Sequence, residues 1–207
     1  MKLSTASFFG ALAVLGALIS VSSCSRTDHF AGEWIGTPTR IMGIPGASDA
    51  TSTVSIDFAP TSDVRHGGNV FLSATIDVSQ AVTGAEFSLD SPYQVDLAAT
   101  ASIRGHYVAE DGADDDILLH LDPSTMLVNI DPAGVTFSEN ILTGLQRPSL
   151  DSLTNRTIDA WRVLITAAIR DEFYKYQKIE DIKVHHSDMM SCEVGDRDCT
   201  FRRVAPN

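Results

Sequence analysis

The stretch from Asn69 to Ser79, NVFLSATIDVS, alternates between two sets of side chains along its whole length. One set is entirely apolar, whereas the other holds mainly serine, threonine and aspartate. Successive side chains of a β-strand point to opposite faces, so this period of two predicts a strand that is buried on one face only. The predicted buried face consists of Val70, Leu72, Ala74, Ile76 and Val78.

Two neighbouring stretches repeat this alternation. Val54, Ile56 and Phe58 share one face on the N-terminal side of the first stretch. On its C-terminal side, the alternation starts at Tyr93 and continues past Gly105, which we interpret as a bend or bulge. Each stretch therefore predicts a further strand of the same half-buried kind.

Beyond these stretches, the pattern predicts two shorter strands, from Ile117 to Leu121 and from Met126 to Ile130. Asp122-Pro123-Ser124 lies between them, and Asp131-Pro132-Ala133-Gly134 follows the second; both are typical turn sequences. Consecutive strands joined by short turns favour a mainly β fold. We expect an antiparallel meander that forms either a small barrel or a sandwich.

A helical period appears from about residue 155 to residue 176. Apolar side chains recur there at spacings of three and four, among them Ile158, Trp161 and Phe173. This period predicts one C-terminal amphipathic helix that packs on the sheet, with Ser152 or Asn155 as its N-cap.

Gly32 and Trp34 occur in FAGEWIGT, at the start of the first predicted strand. This Gly-x-Trp resembles the opening of lipocalin-like domains. The resemblance implies that Trp34 plugs one end of a small antiparallel barrel and that the C-terminal helix packs outside it. Gly32 and Trp34 are thus expected to have structural roles.

The N-terminal segment has the features of a secretory signal. Lys2 precedes an uncharged apolar run, Phe8–Val21, that is shorter than the about 20 residues of a transmembrane helix. Val21-Ser22-Ser23-Cys24 resembles the lipobox of bacterial lipoproteins. The resemblance implies that residues 1–23 are removed and that Cys24 is lipidated.

The same resemblance implies a place for the mature chain. Two or more acyl chains, palmitate among them, anchor a protein stably to a membrane. Residues 24–30 would then tether a single β-rich domain, residues 31–207. Because Ser25 stands where inner-membrane lipoproteins usually have aspartate, we expect the outer membrane, with the periplasmic face favoured over the cell surface.

A final hairpin is predicted, with arms Met189–Glu193 and Asp198–Val204 and a turn at Gly195-Asp196. Cys192 and Cys199 lie symmetrically about this turn, so they are expected to face each other across the ladder. Export would favour a disulfide between them. A metal or redox role is disfavoured because no Cys-x-x-Cys and no histidine at zinc-finger spacing is present.

The formal net charge of −12 argues against nucleic acid as a partner. The densest acidic stretch, Glu110–Asp116, lacks the ligand spacing of a calcium loop and is interpreted as a solvated loop. His106 and His120 meet only if the strand register allows it, and His185 and His186 are expected on opposite faces of a strand. We therefore predict no catalytic residue, no metal site and no cofactor.

Three function classes remain. The leading one is a membrane-anchored, non-enzymatic lipoprotein that binds an envelope component or a partner protein. The second is a lipocalin-like carrier of a small apolar ligand, which would need an internal cavity. The third is an enzyme with an unrecognised site.

Overall fold

The computed structural model describes residues 28–44, 46–61, 66–82, 92–110, 115–144 and 147–205. Residues 1–27, which include the predicted signal and Cys24, lie outside the described ranges. Two helices are present, α1 (Glu139–Gly144) and α2 (Arg147–Tyr174). The strands are β1 (Gly32–Gly36), β2 (Thr39–Arg40), β3 (Asp49–Pro60), β4 (Gly67–Val82), β5 (Tyr93–Ala109), β6 (Ile117–Phe137), β7 (Lys178–His185), β8 (Met189–Val194) and β9 (Arg197–Arg203).

The strands form one antiparallel meander that closes into a ring. Their order is β1-β9-β8-β7-β6-β5-β4-β3-β2, and β1 pairs with β3 as well as with β9. The predicted mainly β meander is confirmed, and the ring-like closure makes it a barrel rather than a sandwich. β6 and β7 share only two residue pairs, Ile117 with Ile179 and Leu118 with Lys178, so this is the shortest junction of the ring.

The core consists of the inward faces of the strands. The alternating apolar positions of β3, β4 and β5 are almost all buried, as the period of two predicted. Phe30, in a short 3-10 helix at Asp28–Phe30, is also fully buried and packs edge-on against Phe58. This residue belongs to the folded core although the sequence places it in the predicted tether.

The prediction of two strands between residues 117 and 130 is wrong, because β6 is a single strand of 21 residues. Its pairing with β5 shifts between Leu97 and Ala99 and again between Ser102 and Arg104. These shifts lie opposite the two predicted turns. There Asp122 accepts the backbone N–H of Ser124 at 2.9 Å, and Asp131 accepts the backbone N–H of Ala133 at 2.9 Å. The Asp-Pro sequences form local turns as predicted, but each closes a bulge and the strand continues in the same direction.

Gly105 is not the bend or bulge that we predicted. It lies in the regular ladder, opposite Val70 and Leu121. A Cβ atom at this position would lie 2.4 Å from the carbonyl oxygen of His120. Glycine therefore permits β6 to approach β5 closely at this point.

Helix α2 begins at Arg147, about two turns before the predicted start, so Ser152 and Asn155 lie inside it rather than at its N-cap. Pro148 in its first turn is compatible with a helix start, because the first N–H groups have no partner within the helix. The short helix α1, which the periodicity did not predict, precedes it. No helix within the described ranges is both long and apolar enough to cross a membrane.

One face of α2 belongs to the same core as the inward faces of the strands. The outward faces of β3, β4 and β5 are exposed or half-buried. The helix therefore packs on the inward side of the sheet, whereas the lipocalin resemblance implied packing outside the barrel. Its buried residues are Leu153, Ile158, Trp161, Ile165, Ala168, Ile169, Glu172 and Phe173.

The predicted final hairpin is confirmed as β8 and β9, joined at Gly195-Asp196. Gly195 has a φ of 60°, a conformation that glycine adopts without the steric cost of a Cβ atom. β7 precedes the hairpin and pairs with β8. The strand β7 ends at His185, and His186, with a φ of 51°, lies in the following turn rather than on the predicted strand.

Candidate functional site

The two cysteines of the hairpin are direct cross-strand partners. The ladder between β8 and β9 places Cys192 opposite Cys199, so the predicted register is confirmed. Both are free thiols in this structure, and the predicted disulfide is not formed in it. Burial raises the pKa of Cys192 to about 12 and also raises the pKa of Cys199, so the reduced thiols are poor nucleophiles. A disulfide in the exported chain stays a prediction.

Trp34 lies in β1, the strand that closes the ring by pairing with both β3 and β9. Its side chain is fully buried, and its Nε1–H donates to the carbonyl oxygen of Phe30 at 2.7 Å. The guanidinium of Arg203 on β9 stacks over the ring, 4.2 Å from its centroid, and donates to the carbonyl oxygen of Ala31 at 2.6 Å. Trp34 and Arg203 together tie β1 to β9.

A buried carboxylate joins α2 to the hairpin. Glu172 is 2% exposed and accepts hydrogen bonds from Arg197 at 2.6 Å and from Lys175 at 2.5 Å. Burial alone would raise its pKa, but the hydrogen bonds from Lys175 and Arg197 outweigh this effect and the pKa is lowered. The carboxylate is therefore ionised at neutral pH and links the end of the helix to β9.

Of the residues considered as metal ligands, the histidines are described and the acidic stretch is described only in part. His106 and His120 do meet, as direct cross-strand partners whose stacked rings lie 4.8 Å apart, on an exposed part of the sheet. Of the acidic stretch, residues 111–114 lie outside the described ranges. Across the described residues, no group of three or more histidine, cysteine, aspartate or glutamate side chains could hold a metal ion.

The outward-facing side chains of β3, β4, β5 and β6 line a series of adjoining cavities, which we call the outer-face groove. Its four segments have volumes of about 530, 370, 270 and 220 Å³. The three smaller segments share lining residues such as Thr75 and Asp77, and the largest lies beside them along β4, where Phe71 and Ser73 are successive outward residues. The groove follows β4 from Asn69 to Ser79, a length of about 30 Å at the rise of a strand.

The middle of the groove is lined by hydroxyl groups in register. Ser55, Ser73 and Ser102 form one cross-strand row. Three threonines and an asparagine form the adjacent row. Adjacent strands are about 4.8 Å apart, so the hydroxyls form a regular array of donors and acceptors. The members of the second row are Thr53, Thr75, Thr100 and Asn129.

The two ends of the groove differ in chemistry. At one end, Asp49, Asp77 and Asp96 supply carboxylates. The Asp96 carboxylate accepts a hydrogen bond from the hydroxyl of Ser79. At the other end, which we call the Phe71–Arg104 end, the lining combines Asp57, Asn69, Phe71 and Arg104 with the backbone of Gly105. The groove thus offers polar contacts along its length and an aromatic ring near one end.

Sequence reasoning did not identify this groove. The polar half of each alternating strand was assigned to the outer face correctly, but alternation does not specify which residues of neighbouring strands lie side by side. The register does so, and it brings Ser73 next to Ser102 and Phe71 next to Arg104. The signal in the sequence is the run of small hydroxyl side chains on the polar faces of several strands.

Comparisons with protein families, with curated proteins and with solved structures found no match to this chain.

Proposed function

We propose that this protein is a membrane-anchored, non-enzymatic lipoprotein of the cell envelope, whose β-domain binds an envelope component or a partner protein through the outer-face groove. The observation that carries the binding function is the groove itself, an open surface about 30 Å long with an array of in-register hydroxyls. Most outward side chains of an antiparallel sheet are simply solvated. A row of adjoining segments with ordered polar groups instead presents a surface that an elongated ligand fits.

The inward side of the sheet is filled by packed side chains, which favours the outer-face groove as the place of binding. The inward side chains of the sheet and the apolar face of α2 form one core cluster. Several of them, including Leu72, Ile76 and Ile165, have no exposed surface. A lipocalin-like carrier would bind its ligand inside the barrel, so these observations favour the outer face over that alternative.

The proposed location rests on the lipobox resemblance at Val21-Ser22-Ser23-Cys24. The lipid on Cys24 would hold the protein at the outer membrane, on the periplasmic face in preference to the cell surface. The first described element, Asp28–Phe30, follows closely in the sequence, so the domain would lie near the lipid headgroups.

Replacing Cys24 with Ala should release the protein from the membrane fraction, because the acyl chains provide its anchor. Fractionation of cells and intact-mass measurement test this prediction, and the wild-type mass should include the acyl groups. Cys199→Ala is the matched control and should remain in the membrane fraction. A wild-type protein that is soluble and carries no acyl group contradicts the anchor.

The binding function is tested by co-sedimentation of the Cys24→Ala protein with isolated envelope fragments. Ser73→Arg in that background places a long charged side chain on the floor of the groove and should reduce the bound fraction at least about fivefold, the effect of losing roughly 1 kcal/mol. Val163→Arg, at a position of α2 that is 70% exposed, is the control and should bind as the parent does. Equal binding by all three proteins, or by none, is the result that rules out the groove.

A further inference from the structure

The Phe71–Arg104 end has the largest volume of the four segments of the outer-face groove. Its volume of about 530 Å³ lies within the range of about 300–1,000 Å³ that is usual for small-molecule sites. Five of its lining residues differ in chemistry: a carboxylate, an amide, an aromatic ring, a guanidinium and a glycine backbone. Such a set can recognise a ligand that has several kinds of group in a fixed order.

The register sets the order of these groups. Asp57 lies opposite Phe71, and Phe71 lies opposite Arg104, on three consecutive strands. Two strand spacings separate the carboxylate from the guanidinium at the backbone, a distance of about 10 Å. A ligand that spans this distance meets a hydrogen-bond acceptor, then an apolar ring, then a cationic donor.

The guanidinium of Arg104 is available to a ligand. In the described part of the chain, Arg104 forms hydrogen bonds only through its backbone, whose N–H and carbonyl oxygen contact the hydroxyl of Thr125. Asp122, which the structure also describes, lies opposite Arg104 in the ladder but forms no ion pair with it, and its Oδ1 accepts the N–H and the hydroxyl of Ser124, at 2.9 and 2.7 Å. A guanidinium binds a carboxylate through two parallel hydrogen bonds, so charge complementarity favours a carboxylate on the ligand.

The net charge of the protein limits the number of carboxylates that a ligand of the groove can carry. The chain has a formal net charge of −12, and Asp49, Asp77 and Asp96 line the opposite end of the groove. A polyanion would be repelled along most of the groove. One carboxylate, placed at Arg104, matches the charges of the groove, whereas a series of them does not.

Phe71 supplies an apolar surface between the two charged groups. Its side chain is 37% exposed, which is unusual for a phenylalanine in a strand whose other face forms the core. The C–H face of a sugar ring can pack on an aromatic ring, while its hydroxyls donate to Asp57 and accept from Asn69. The serine row next to this end, which includes Ser73, extends the polar contacts to a second sugar unit.

We propose that the Phe71–Arg104 end binds a carbohydrate that carries a single carboxylate, with the acid group on Arg104 and one sugar ring on Phe71. This proposal rests on the proposed function of the outer-face groove and specifies the ligand class for it. The groove beyond this end accommodates the neutral remainder of the glycan.

Isothermal titration of the full chain in detergent tests this ligand class. The probe is a disaccharide of glucose and glucuronate; its methyl ester and the neutral diglucose are the matched ligands. The acid should bind at least tenfold more tightly than both neutral forms. Equal binding of the acid and the ester, or no binding of the acid, overturns the proposal.

Variants locate the site. Arg104→Gln should weaken binding of the acid at least tenfold and remove the preference over the ester, and Phe71→Ala should weaken both forms. Arg162→Gln, on the exposed face of α2, is the control and should change neither. Retention of the acid preference in Arg104→Gln overturns the assignment. If the ligand class fails while Ser73→Arg still reduces co-sedimentation with envelope fragments, the groove binds a different component and the proposed function stands.

Discussion

Replacing Trp34 with Ala is expected to lower the free energy of unfolding by about 3–5 kcal/mol, the usual cost of truncating a buried tryptophan. The ring is fully buried beneath Arg203, and its Nε1–H bonds the carbonyl oxygen of Phe30. Truncation would leave a cavity at the point where β1 joins β9. The contact that closes the ring would therefore be weaker. A loss of this size is a large share of the about 5–15 kcal/mol that stabilises a typical domain. Thermal and denaturant unfolding of the Cys24→Ala background measure it.

Two further variants separate the contributions of Trp34. Trp34→Phe keeps an aromatic ring but loses the hydrogen bond to Phe30, so we expect a smaller loss that includes about 1 kcal/mol for the bond. Ile35→Ala changes the neighbouring side chain, which is on the outer face and 42% exposed, and should cost much less. If Trp34→Ala has the melting temperature of the parent protein, Trp34 has no structural role. The resemblance to lipocalin-like domains, which implied that role, would then lose its main support.

Replacing Glu172 with Gln is expected to lower the free energy of unfolding by about 2–3 kcal/mol, somewhat less than the about 3–5 kcal/mol of a fully buried ion pair. The carboxylate is 2% exposed, but Arg197 and Lys175 are 36% and 44% exposed and can be partly rehydrated when their partner is lost. Denaturant unfolding of the two proteins at neutral pH measures the difference. Asp171→Asn is the control, because this neighbouring carboxylate is 76% exposed. It should cost no more than about 0.5 kcal/mol.

The contribution of Glu172 should also depend on pH. Its pKa in the folded state is lowered, so folding favours the ionised form. The stabilisation is therefore complete above the ordinary glutamate pKa of about 4.3 and is lost as the pH falls through the lower folded value. Wild type and Glu172→Gln should differ most at neutral pH and converge in acid. A difference that stays constant down to the acid range would show that packing, and not the ion pairs, accounts for the effect.

Local patterns predicted most elements of the fold. The alternation around Asn69–Ser79 identified the strand β4, and the same pattern identified β3 and β5, because a strand that buries one face must alternate. The period of α2 and the turn at Gly195-Asp196 were equally informative. Each of these signals is carried by side chains a few residues apart in the chain, so a sequence is enough to detect it.

The errors occurred where a local signal has two tertiary outcomes. Asp122-Pro123-Ser124 forms the turn that its side chains favour, yet the turn closes a bulge in β6 because the strand on either side pairs with β5. The prediction of a bend or bulge at Gly105 is wrong, because glycine there permits the close approach of His120 on the neighbouring strand. The predicted start of α2 rests on the apolar period alone, whereas the helix begins at Arg147, where Pro148 fits the first turn.

The sequence by itself determined which faces of the strands are buried, the place of the amphipathic helix along the chain, the final hairpin and the lipobox-like segment at Cys24. Only the tertiary structure decided that the meander closes into a ring, that α2 packs on its inward side, and that Glu172 meets Arg197. It also decided that Asp57, Phe71 and Arg104 lie side by side, which is the basis of the proposed site. The reason is physical: alternation fixes the direction of a side chain relative to its own strand, but its neighbours depend on the register between strands distant in sequence.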